Sequence, residues 1–160
     1  MNTMINEVRI ISYDPKYKEA FKALNEEWIK TFFIVEEGDN KLLNYPEEQV
    51  LNKGGYIVFA LLNNEVVGTC ALVKAEEPAT YELSKMAVSP KAQGKKIGYL
   101  LGQTLLEKAK ELNANKVFLE TNSVLVSAVH LYEKLGFKHI PVEHSAYDRC
   151  DTKMQLIINE

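Results

Sequence analysis

The chain has 160 residues, of which 46% are apolar and 26% charged, with a net charge near −3. A chain of this length can bury a core as one domain, 1–160, without disulfides or a structural metal. Its interspersed charges exclude the basic surface that nucleic acid or an anionic membrane demands.

The apolar runs fall far short of the roughly 20 residues that cross a bilayer, and residues 1–8 carry no basic stretch followed by an apolar one. The expected location is therefore the cytoplasm, with no membrane partner. Residues 7–11 read as a short strand. Asp14-Pro15 opens a helix on which Tyr17, Phe21, Leu24, Trp28 and Ile29 recur at helical spacing. From 30 to 52 the pattern is irregular, mixing aromatics with acids, apart from a short helix expected to start at Pro46. Gly54-Gly55 breaks the chain before a β-branched run at 56–62. Asn63-Asn64 then suits the positive φ of a tight hairpin, and 66–74 is the return strand. After Glu76-Glu77-Pro78 comes a third strand, 80–88, which completes an antiparallel meander.

A polar Gly/Lys loop leads from Ser89-Pro90 into a helix at 97–112, striped by Ile97, Leu101, Leu105 and Ala109. Strand 116–121, helix 124–135 with Gly136 as its C-terminal cap, strand 137–140 and a closing strand 154–158 follow. The fold class is α/β, a mixed sheet with helices on its faces.

Chemistry concentrates at the loop 88–100, where a strand feeds a helix N-terminus. Free N–H groups and the positive helix end converge there, glycine admits an anion to the backbone, and Lys95 and Lys96 add charge. That is a phosphate site, or else a plain solvated helix start. Neither a P-loop nor a dinucleotide fingerprint is present. Cys70 and Cys150 lie far apart, and His130, His139 and His144 are scattered, so no metal is expected.

Gln93 and Gly98 occupy the ends of a stretch that resembles the pyrophosphate-binding motif Q/R-x-x-G-x-G/A of the GNAT acetyltransferases, with Lys96 standing where the family usually has its middle glycine. Asn122, followed by Ala128 through Tyr132 to Gly136-Phe137, resembles the family's second signature. The resemblance implies the GNAT fold, a mostly antiparallel sheet of about seven strands flanked by helices, and acetyl-CoA as co-substrate with an amine as acceptor. It assigns Met86, Ala87 and Val88 to the pantetheine arm and the acetyl carbonyl. The loop Gln93, Gly94, Lys95, Lys96, Ile97, Gly98 and Tyr99 goes to the pyrophosphate, and Asn122, Ala128, Leu131 and Lys134 to the remaining cofactor contacts. Asn122 reads equally as a helix N-cap.

An amine must lose its proton before it attacks, since a lysine-type amine titrates near 10.4. Glu82 stands four residues before Met86, where some members of the family place a catalytic glutamate; a solvent-facing strand residue, or a water chain as base, is the alternative. Tyr132 is the family's usual general acid toward the leaving thiolate, and otherwise a core tyrosine. By the same resemblance the acceptor cleft draws on Phe32, Phe33, Glu36, Asp39, Tyr45, Tyr147, Asp148, Arg149 and Asp151, where acids beside aromatics suit a cationic amine. A non-catalytic acyl-CoA sensor is the competing function. The apolar last strand permits a homodimer.

Overall fold

The computed structural model describes residues 7–159, and residues 1–6, read above for an export signal, lie outside them. Seven strands form one sheet in the order β1-β2-β3-β4-β5-β7-β6. The meander is β2 (Tyr56–Leu62), β3 (Glu65–Lys74) and β4 (Thr80–Val88), with β1 (Val8–Ser12) antiparallel on its outer edge. Asn63 and Asn64 take φ of 53° and 67° at the first turn, the left-handed pair the hairpin needs. Strand β5 (Lys116–Thr121) joins β4 in parallel, and β7 (Thr152–Ile157) is antiparallel to both β5 and β6 (Lys138–Ile140). The last strand thus does not close the sheet at its edge but inserts between β5 and β6, where Met154 finds an enclosed core position.

Alternation in β2 divides the core. Val58 and Ala60 face α4 (Ile97–Glu111), whose Leu101, Leu105 and Ala109 are fully buried; Ile57 and Phe59 face α1 (Lys18–Phe32), which contributes Phe21 and Ile29. The irregular stretch after α1 holds an unforeseen helix, α2 (Glu37–Asn44), then the expected short α3 (Pro46–Gln49). Asp39 caps α2 by accepting from the Glu36 backbone N–H at 2.9 Å. Helix α5 (Val126–Lys134) starts two residues later than the periodicity predicts, and Gly136 ends it at φ 105°. No helix among the described residues is long and apolar enough to cross a membrane.

Candidate functional site

Strands β4 and β5 pair only at Thr80–Lys116, Tyr81–Val117 and Glu82–Phe118, then part company. Beyond Glu82, β4 carries a bulge: Lys85 has φ 54°, and the register with β3 slips between Thr69 and Ala71. The residues past the split keep backbone groups that β5 does not satisfy, and a cavity of about 760 Å³ opens between the strands. Met86, Ala87 and Val88 line it.

One end of the cavity is the Gly/Lys loop. Gln93 is extended, Gly94 has φ 83° and Lys96 φ 60°, after which α4 begins at Ile97. The left-handed Lys96 explains why glycine suits this position. Gln93, Gly94, Lys96, Ile97, Gly98 and Tyr99 reach the cavity, whereas Lys95 is exposed and does not line it. At Gly98 a Cβ would meet Leu131 Cδ2 at 3.0 Å and Met86 Sδ at 3.5 Å, so the missing side chain lets α4 lie close to α5 and β4. Asn122, Ala128, Leu131 and Lys134 complete this half of the wall. Asn122 does not cap α5, whose N-cap is Leu125 without a side-chain bond; instead its Oδ1 accepts from the Val124 N–H at 2.8 Å in the turn before the helix, and its Nδ2 ties down the Arg149 carbonyl at 2.7 Å. These loop donors, lysines and unpaired strand groups fit an elongated anionic cofactor of the acetyl-CoA type. Lys96→Gly is expected to stabilise the chain by about 0.5–1 kcal/mol in urea melts, because glycine escapes the left-handed penalty; a loss of stability would contradict that conformation.

Mid-cavity stand Glu82, Glu120 and Tyr132. Burial, with the nearby Glu120 charge adding to it, pushes the Glu82 carboxyl up to about 7, although Lys85 and Lys153 pull the other way. Glu120 was not foreseen; it accepts from the Ser145 hydroxyl at 2.6 Å. Tyr132 stacks edge-on against Phe137, and burial pushes its phenol well above the ordinary tyrosine value. Its hydroxyl makes no hydrogen bond among the described residues, and no enclosed side-chain oxygen there lacks a partner, so this one opens to the cavity. It stays protonated, and so a hydrogen-bond donor, at any physiological pH.

At the far end, Phe32, Phe33, Tyr147 and Arg149 of the expected acceptor residues line the cavity, joined by Trp28 and Lys85. Glu36 and Asp39 do not. Asp39 is fully buried behind the wall, where it accepts from Lys85 Nζ at 2.8 Å and from Arg149 Nη1 and Nη2 at 2.8 and 2.7 Å. Glu36 bonds Arg149 Nη1 at 3.3 Å and the Asp148 N–H at 3.1 Å. Both acids expected to greet a cationic acceptor are thus spent holding cations. Tyr45, Asp148 and Asp151 also stay outside the wall, Asp151 accepting from Ser123 N and Oγ at 2.8 Å each. His130 and His144 are exposed, and His139 pairs with Glu133 at 2.9 Å. No group of three or more His, Cys, Asp or Glu among the described residues is placed to hold a metal ion.

The family model of the Acetyltransferase (GNAT) family matches residues 14–137, most of the chain. The protein belongs to the GNAT family. A GNAT acetyltransferase structure from Staphylococcus aureus superposes with a TM-score of 0.84 at 25% identity, covering 93% of this chain and 98% of that one. A Salmonella typhimurium structure solved with its cofactor acetyl-CoA gives a TM-score of 0.76 at 22% identity, covering 96% and 95%, and so shares the GNAT fold. Mouse N-acetylaspartate synthetase is 43% identical over 81 residues, 51% of this chain and 27% of that protein. The match therefore spans little more than a quarter of that curated relative's length.

Proposed function

We propose that this GNAT chain is a single-domain, cytoplasmic enzyme that transfers the acetyl group of acetyl-CoA to a primary amine by direct attack in a ternary complex. The observation that carries this is one continuous cavity. It joins a left-handed loop at a helix N-terminus, a strand split with unsatisfied backbone, and the Glu82/Tyr132 pair. The Salmonella relative's bound acetyl-CoA supports the same reading.

Acetyl-CoA supplies an activated thioester carbonyl. The loop from Gln93 to Gly98 and the first turn of α4 hold its phosphates through N–H groups and lysine charge. A backbone N–H of residues 86–88 that faces the split rather than β3 would donate to the carbonyl oxygen as negative charge builds there, one such donor being worth roughly 3 kcal/mol. Glu82 takes the proton from the attacking amine, and its raised pKa suits that task near neutral pH. Tyr132 donates a hydrogen bond to the departing sulfur. Its phenol is a weaker acid than an alkyl thiol near 8.5, so it steadies the thiolate more than it fully protonates it. The transfer requires neither cysteine, and burial pushes the Cys70 thiol far up.

Isothermal titration tests the cofactor. Acetyl-CoA should bind in the micromolar range, ATP and NAD should not, and Gly98→Trp should abolish acetyl-CoA binding by filling the space against Leu131 and Met86. Absence of acetyl-CoA binding would sink the reading. Binding without thiol release for any amine would instead favour a non-catalytic acyl-CoA sensor.

A further inference from the structure

Two cations are built into the acceptor end of the cavity, with Lys85 and Arg149 side chains only 4% and 14% exposed. Burying charge is expensive, and these two are fixed by an equally buried carboxylate. Asp39 receives Lys85, two Arg149 nitrogens and the Glu36 N–H, so its lone pairs are occupied and it offers nothing to a ligand. The donors around it are not all used. Lys85 Nζ gives two of its three hydrogens to Asp39 and to the Tyr147 hydroxyl, the latter at 3.0 Å. The Tyr147 hydroxyl accepts that bond and keeps its own proton to donate. Arg149 Nε makes no hydrogen bond among the described residues, and since no enclosed side-chain nitrogen there lacks a partner, it is open to solvent. The Tyr147 ring fixes both cations from one side, with Lys85 Nζ 4.4 Å and the Arg149 guanidinium carbon 4.6 Å from its centroid. Gly38 makes room for that ring, since a Cβ there would lie 3.2 Å from it. A cluster of spare donors without a spare acceptor is a receptor for an anion, and planar carboxylates suit a guanidinium best.

Acids line the same cavity, for Glu82 and Glu120 also face it. A regular strand would send residues 82 and 85 to opposite faces. The bulge at Lys85 removes that alternation, so both point into one space with the ammonium near enough to stabilise the Glu82 anion. The acceptor end is therefore of mixed character, with the Glu82 and Glu120 carboxyls and the Lys85 and Arg149 cations lining one cavity.

We propose that the acceptor is a free amino acid or a close analogue, whose carboxylate docks on Lys85, Tyr147 and Arg149 while its amine faces Glu82. This rests on the acetyl-transfer reading above. A peptide N-terminus or a lysine side chain has no carboxylate beside its amine and leaves the three donors unmatched, as does a polyamine.

The test is a thiol-release assay at saturating acetyl-CoA on free amino acids. Each is paired with its decarboxylated amine, such as phenylalanine with phenethylamine or histidine with histamine, and with a peptide bearing the same N-terminal residue. At least one amino acid should exceed its decarboxylated partner in kcat/KM by about 100-fold or more, as expected where buried polar groups are built to hold a missing group. Tyr147→Phe removes one donor and leaves the Asp39 clamp intact; it should lower that ratio about tenfold, chiefly through KM for the amino acid. Equal or better turnover of the decarboxylated amines or peptides, with acetyl-CoA binding normally, overturns this inference alone. Failure of acetyl-CoA to bind overturns it together with the transfer reading.

Discussion

Glu82→Gln is expected to lower kcat/KM by about 10²- to 10⁴-fold while making the protein more stable above neutral pH. The two effects have one cause. Burial and the neighbouring Glu120 raise the carboxyl from 4.5 to about 7, so the fold disfavours the very anion that a general base requires. A group whose folded pKa lies above its unfolded value favours unfolding wherever it must ionise. Wild-type stability should therefore decline as pH rises from 4.5 through 7, by an amount on the order of 3 kcal/mol, and glutamine should flatten that decline. In the rate the sign reverses: wild-type kcat/KM climbs with pH through about 7 as Glu82 ionises, and the limb is absent in the variant. Denaturant melts at pH 5 and pH 8 beside a pH–rate profile read both. A variant that keeps the ascending limb would transfer the base to water or to Glu120.

Much of the proposed cofactor half of the cavity was legible because its geometry is local. The loop, the start of α4 and the Tyr132 helix lie in continuous stretches whose glycines and periodicity announce their geometry, and Lys96 departs from glycine while keeping the glycine conformation. The acceptor half is built from long-range pairings. Asp39 reaches Lys85 and Arg149 from three separate segments, and no spacing rule links them. Helix α2 was missed because Gly38, Asp39 and Asn40 are weak helix formers; its packing of Leu43 into the core and its cap decide in its favour. Acids in that stretch looked like ligands for a cation because their partners were out of sight. One signal was available: in Tyr81, Leu83, Lys85 and Ala87 the lysine occupies a buried phase of β4, and a charge there demands a partner. Glu120, in the outward phase of β5, gave no comparable sign. The place of β7 between β5 and β6 likewise depends on which edge can bury Met154, not on anything near it in sequence.

Asp39→Ala is expected to cost about 3–5 kcal/mol, since it leaves the enclosed Lys85 ammonium with no carboxylate and Arg149 with Glu36 alone. Against a typical total of 5–15 kcal/mol, that is enough to unfold a substantial fraction of the protein at 37 °C. The loss should be smaller when Lys85 goes too: Asp39→Ala with Lys85→Met removes the stranded ammonium, and the double variant should be more stable than the sum of the single changes requires. Additive losses would mean that the pair contributes by packing alone. The same cluster sets an acid limit. Burial opposes ionisation of Asp39, but Arg149, Lys85 and the Glu36 N–H outweigh it and hold the carboxyl down to about 2. A depressed carboxyl stabilises the fold above its unfolded value near 3.8 and loses that contribution only as pH falls toward 2. Wild-type protein should thus keep the Asp39 clamp through pH 4, where Glu82 is already protonated. A chain assayed near pH 5 would then be folded, clamped and inactive, with its acceptor donors in place and its base silent.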